Sequence, residues 1–207
     1  EMCIRDRSAV DAARYRRLAG HPSLPPATYK LSCHLPNGRS AFSFCVCPGG
    51  QVVAAASEAR RVVTNDMSEY ARGRENINGA LLVNVPPADF PDDHPLSGIR
   101  LQRQLEEAAF ALGGGDYRAP CQRVEDFLAR RPSVGAGNVQ PSYLPAVPYT
   151  DLHRCLPPFI SETLALALPE LGRRLRGYDD PDALLTGVET RSSSPVRLVR
   201  DGHYESN

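Results

Sequence analysis

Between Phe44 and Ser57 the chain reads Phe-Cys-Val-Cys-Pro-Gly-Gly-Gln-Val-Val-Ala-Ala-Ala-Ser. A short apolar run ends in two cysteines one residue apart. Pro48-Gly49-Gly50 then forces a turn, and a second small, apolar run begins. Proline presets one backbone angle of a turn, and glycine tolerates angles and close contacts that a Cβ forbids. Two apolar runs joined in this way read as neighbouring strands whose connecting backbone can approach a partner closely. This commits the first part of the chain to β-structure.

Composition narrows the class. At 207 residues the chain can bury one sizeable core or two small ones. Its 42% apolar and 23% charged content is that of a globular protein rather than a disordered one. Formal net charge is zero, so no overall field recruits nucleic acid or an anionic membrane. Lys30 is the one lysine among 24 basic residues, which reads as codon bias rather than a binding surface. Apolar stretches such as Val52–Ala56 and Ala80–Val85 fall far short of the ~20 residues of a membrane span. The cysteines, at 3, 33, 45, 47, 121 and 155, show no repeated staple pattern. Reduced thiols in a bacterial cytoplasm are the expectation.

The pattern along the chain predicts an α+β fold with a β-rich first half and a helical second half. Ser8–Leu18 is helix-compatible, and prolines 22, 25 and 26 end it. Thr28–Leu35 alternates with period two, Pro36-Asn37-Gly38-Arg39 is a turn, and Ala41–Val46 returns, so a hairpin is expected. Gln51–Ser57, Val62–Thr64 and Ala80–Val85 read as further strands. Ser97–Leu112 carries Ile99, Leu101, Leu105, Ala108, Ala109 and Leu112 at helical spacing, with Glu106 and Glu107 opposite, and Gly113-Gly114-Gly115 stops it. Arg123–Arg130 and Pro158–Leu175 are further helices, the second expected to kink at Pro169. Ser133–Thr150 is a long irregular segment. Ala183–Val188 and Val196–Val199 read as strands around the polar turn Glu189–Pro195.

Three clusters could carry chemistry. Residues 45 and 47 of a regular strand share a face, so Cys45 and Cys47 are two buried small hydrophobes, a thiol pair beside a redox cofactor, or metal ligands with Cys33 and His34. The Glu189–Arg197 stretch offers guanidinium groups, hydroxyls and a carboxylate. This is a donor set for a carboxylate, a phosphate or the polar edge of a flavin, or else a solvated turn. Asn65–Asn78 reads as a surface loop whose amides could alternatively bind a ligand. The glycines at 113–115 close a helix, whereas a dinucleotide fingerprint opens one after a strand. No residue stands out as a catalytic acid, base or nucleophile, and no metal site is assigned.

The phrases FCxCPGGxVVAAASE, VVTNxMSxYxR, LGGGDYRAP, LHRCLP and TGVETRSSSPVR, in that order, resemble a group of bacterial and plastid FAD-dependent dehydrogenases. The resemblance implies an interior fragment of a two-domain FAD-dependent oxidoreductase, with a small-molecule substrate and the missing N- and C-terminal parts of the same protein as partners. It implies that residues 8–182 form an inserted substrate-side domain and that 183–207 begin the return to the FAD-binding domain. Independently of the resemblance, residues 1–7 abut a helix-like stretch with no boundary signal and read as a sequencing artefact outside the fold. The resemblance further implies that the flavin is approached by Cys47, Pro48, Gly49, Gly50, Glu189, Thr190, Arg191, Ser192, Ser193 and Arg197. The chain departs from that pattern at Asn65-Asp66, where relatives carry Asn-Gly, and at Arg74–Gly79. The alternative is a stand-alone module binding a small ligand or zinc through the Cys45/Cys47 turn.

Overall fold

The computed structural model describes residues 4–7, 31–191, 199–203 and 205. The expected helix Ser8–Leu18 and most of the final strand Val196–Val199 lie outside them. The fold is α+β, as the sequence pattern predicts. Among the described residues eight strands run Ile4–Arg7 (β1), Ser32–His34 (β2), Ser40–Pro48 (β3), Gly50–Ala54 (β4), Thr64–Ser68 (β5), Ile77–Val83 (β6), Cys121–Arg123 (β7) and Leu184–Thr186 (β8). Among the same residues three α-helices run Ser97–Leu112 (α1), Val124–Leu128 (α2) and Pro158–Arg174 (α3). Six strands form one antiparallel sheet in the order β2-β3-β6-β1-β8-β7, and β4 and β5 form a separate antiparallel ribbon.

The expected hairpin is present, with Ser32 opposite Phe42 and His34 opposite Ser40. β6 is the sheet's apolar spine. All seven of its residues are buried, and a strand buried on both faces needs a layer on each side. α3 lies against β2, β3 and β6. Its buried residues Ile160, Leu164, Ala167, Leu168 and Leu171 recur at the three- and four-residue spacing of one helix face. The ribbon packs against β6 on the face to which Asn78 turns. One large core joins both halves of the chain, from Cys33 and Leu82 to Phe127, Leu168 and Val188.

Several elements differ from the sequence pattern. β5 begins at Thr64, where the expected strand Val62–Thr64 ended, and runs through Asn65 and Asp66 to Ser68. β7, three residues long, was not foreseen. Ile4–Arg7, given no part in the fold by the sequence, pairs antiparallel with both β6 and β8. β8 covers only Leu184–Thr186 of the expected strand Ala183–Val188 and lies in the sheet between β1 and β7.

Candidate functional site

Two of the polar motifs singled out in the sequence, more than 130 residues apart, meet at one corner of the molecule. The first is the end of β3. Phe44 sits opposite Ala80 and Cys47 opposite Asn78, so β3 carries one residue more than β6 over this stretch. That is a β-bulge, and it re-aims the side chains around it. Cys45 adopts a left-handed backbone with φ of 49° and is exposed, while Cys47 is half-buried. The shared face expected for these two cysteines is therefore broken by the bulge.

Gly49 and Gly50 are buried and satisfy internal packing. Gly49 has φ of 58°, and a Cβ there would collide with the carbonyl of Arg72. A Cβ on Gly50 would meet the Asn78 amide and the Cys47 carbonyl, and the Gly50 N–H donates to the Asn76 carbonyl at 2.9 Å. The close backbone approach inferred from the glycines is thus an approach to the chain's own 72–78 segment. Pro48 is buried beside them.

β5 links the turn to the second motif. Its Thr64 N–H donates to the Val188 carbonyl at 2.9 Å. Two residues on, Asp66 is buried and accepts from the Asn78 side-chain amide at 2.5 Å. Asn65-Asp66 has no left-handed backbone and needs no glycine. Asn76 and Asn78, read as possible loop residues, are buried, and Asn76 donates to the Gln140 carbonyl at 2.8 Å. The carboxylates of this corner act on the thiols. Burial, then Asp66, pushes the Cys47 thiol up from 9.0 to about 11. Burial, then Asp66 and Glu189, raises the Cys45 thiol as well. Both thiols are protonated near neutral pH, which argues against a thiolate nucleophile.

The second motif is the segment that leaves β8. Gly187, Val188, Glu189 and Thr190 are buried. Glu106 of α1 is fully buried and gathers this segment. Its Oε1 accepts from the Thr190 hydroxyl at 2.6 Å and from Arg191 Nε at 2.9 Å, and its Oε2 accepts from an Arg191 terminal nitrogen at 2.8 Å. One turn earlier on the same face, Gln102 Nε2 donates to the Thr190 carbonyl at 2.7 Å. Arg191 also donates to Ser57 Oγ at 2.6 Å, and Glu106 first among its neighbours raises its pKa. Sequence spacing put Glu106 on the solvent side with Glu107; it is instead the buried counter-charge of Arg191. Its signal in the sequence, a glutamine and a glutamate four apart, acquires meaning only once Thr190 and Arg191 are known to lie against it. Ser192, Ser193 and Arg197 lie outside the described residues.

Other candidates have structural settings. His153 pairs through Nδ1 with Asp151 at 2.8 Å and stacks on Phe127. The glycines at 113–115 close α1, with the Gly115 N–H donating back to the Phe110 carbonyl. The 133–150 segment is pinned by Asp182, which accepts from the Asn138 backbone and side chain and from Arg123. Among the described residues no group of three His, Cys, Asp or Glu side chains could hold a metal ion, which leaves the zinc alternative without a donor set there. No helix among them is long and apolar enough to cross a membrane.

Residues 4–192 match the family model for the FAD-dependent protein, C-terminal domain-like. The chain belongs to that family. An uncharacterised protein of Clostridium beijerinckii is 44% identical over 198 residues, which is 95% of this chain and 37% of the relative. The chain thus spans little more than a third of the length of the curated relative it matches. In this FAD-dependent protein C-terminal domain, the family match ends at Ser192, within the polar stretch that follows β8.

Proposed function

We propose that this domain supplies the substrate-side wall and part of the flavin-facing surface of a FAD-dependent oxidoreductase acting on a small molecule. The observation that carries the reading is the convergence of the Cys45–Gly50 bulge and turn with the Gly187–Arg191 segment, through β5, at one corner. The residues fit a wall rather than a complete cofactor site. A flavin's polar edge presents carbonyl acceptors and an N–H donor, and this corner holds a buried carboxylate at Glu189, the backbone of residues 187–191 and the Cys45 thiol. Gly49 and Gly50 pack against the 72–78 segment and the glycines at 113–115 close α1, so this reading assigns the diphosphate to other parts of the same protein. Bound flavin would supply the hydride-accepting chemistry.

In this reading Glu189 and the backbone of Thr190 stand nearest the flavin edge, and Ser192, Ser193 and Arg197 are kept as proposed flavin contacts. Arg191 serves by holding the segment, because its donors are turned to Glu106 and Ser57. The Cys47–Gly50 turn shapes the wall from behind, and Cys45 is its outward thiol. The free thiols at 33, 45, 47, 121 and 155 support a reducing bacterial cytoplasm as its location.

The test uses a chimera in which this chain replaces the matching portion of the Clostridium protein. The expected product carries flavin visible absorbance, whereas the 207-residue chain alone does not. A correctly folded chimera that takes up no FAD, beside a parent protein that does, would overturn the assignment.

A further inference from the structure

α1 offers a latch whose purpose packing alone does not explain. A fully buried carboxylate is costly unless it is paired and hydrogen-bonded. Glu106 meets that condition through the two residues that lead into the polar stretch after β8, with three hydrogen bonds of 2.6–2.9 Å from Thr190 and Arg191. Gln102, one turn away, fixes the Thr190 carbonyl. The guanidinium is held further by Ser57 Oγ and, at 3.4 Å, by Glu58, which itself pairs with Arg61 and Arg103. Glu106 and Gln102 of α1 thus both bond to the adjacent residues Thr190 and Arg191. Glu189, between the latch and β8, is thereby left with little freedom to move.

We infer that Glu106 is a positioning residue, with Gln102 its auxiliary: the pair fixes the Glu189–Arg191 segment in the register that presents its carboxylate and backbone to the cofactor edge. The inference rests on the reading that this corner meets a flavin. Glu106 acts through Thr190 and Arg191 and touches no cofactor itself. A register fixed in this way sets affinity by preorganisation, since a loosened segment must be ordered again at each binding event.

The experiment measures FAD dissociation constants and visible spectra of the chimera described above. In Glu106→Gln the dissociation constant should rise at least fivefold, with a shift of the long-wavelength flavin band. In Gln102→Ala, a change on a half-exposed helix position that leaves the core intact, it should rise two- to threefold. Combining Glu106→Gln with Thr190→Val should cost less than the sum of the two, because both act on one segment. A folded Glu106→Gln protein of lowered melting temperature with parental affinity and spectrum would overturn the inference, and so would full additivity. If Glu106→Gln does not fold, an unchanged affinity and spectrum in Gln102→Ala decides against it. Absence of FAD from the unsubstituted chimera would strike the underlying reading instead.

Discussion

The α3–β6 layer and the β5–α1 corner are built on opposite principles. The first is dominated by hydrocarbon: Leu81, Leu82, Leu164 and Leu168 are fully buried with no side-chain polar atom to satisfy. The second buries Asp66, Asn78, Glu106, Glu189 and Thr190 within one corner. Apolar burial contributes stability in proportion to area and asks little of geometry. Buried carboxylates contribute only when their partners stand at hydrogen-bond distance, and they cost several kcal/mol when left alone. A domain that needed only to fold would gain from repacking that corner with hydrocarbon. Under the proposed function, its polar character serves the wall that meets the flavin.

Substitutions can break that contrast. The largest loss of stability is expected in the apolar layer. Leu164→Ala should cost about 3 kcal/mol, read as a lowered denaturant midpoint; a loss below 1 kcal/mol would mean that the layer is not tightly packed. Glu106→Ala should cost about 2 kcal/mol, less than for a pair buried on both sides, because Arg191 can turn to water. An unchanged midpoint would show that the latch does not form in solution. Thr190→Val keeps shape and removes one hydroxyl, so about 1 kcal/mol should be lost.

The smallest effect is on pH dependence. The Cys47 thiol is raised in the folded chain to about 11 from 9.0. Its contribution to stability is therefore complete below 9 and is lost as the pH climbs toward 11, because the unfolded chain ionises first. Cys47→Ser should flatten part of that decline in equilibrium unfolding measured from pH 8 to 11. An identical decline in both proteins would remove Asp66 and burial from the account of this thiol.

The two regions also differ in how far the sequence reveals them. α1 ends at Leu112, as expected, because apolar spacing and a glycine stop agree. α3 and the β2–β3 hairpin were legible for the same reason. β5 was not, because Asn65 and Asp66 resemble turn formers. The Asn78 side-chain amide on β6 helps to make a buried aspartate tolerable in that strand. β7 is too short for any period to show. The Cys45/Cys47 face was misread because a bulge leaves no mark in composition. Glu106 was misplaced because helical spacing identifies an apolar stripe but does not say which polar neighbour of that stripe finds a buried partner. In the site, the motifs themselves were visible at both ends of the chain. The elements that bring them together, β5 and α1, were not assigned that role.

The corner's proximity to bound flavin is the central claim, and fluorescence tests it most directly. The chain contains no tryptophan, so one can be placed at will in the FAD-loaded chimera and its emission taken as the difference from the unsubstituted protein. Phe44→Trp, exposed beside Cys45, should be almost wholly quenched by energy transfer to the flavin and should recover when FAD is removed. Leu166→Trp, on the exposed side of α3, should be quenched far less. Equal quenching at the two positions, or stronger quenching at Leu166, would contradict the account.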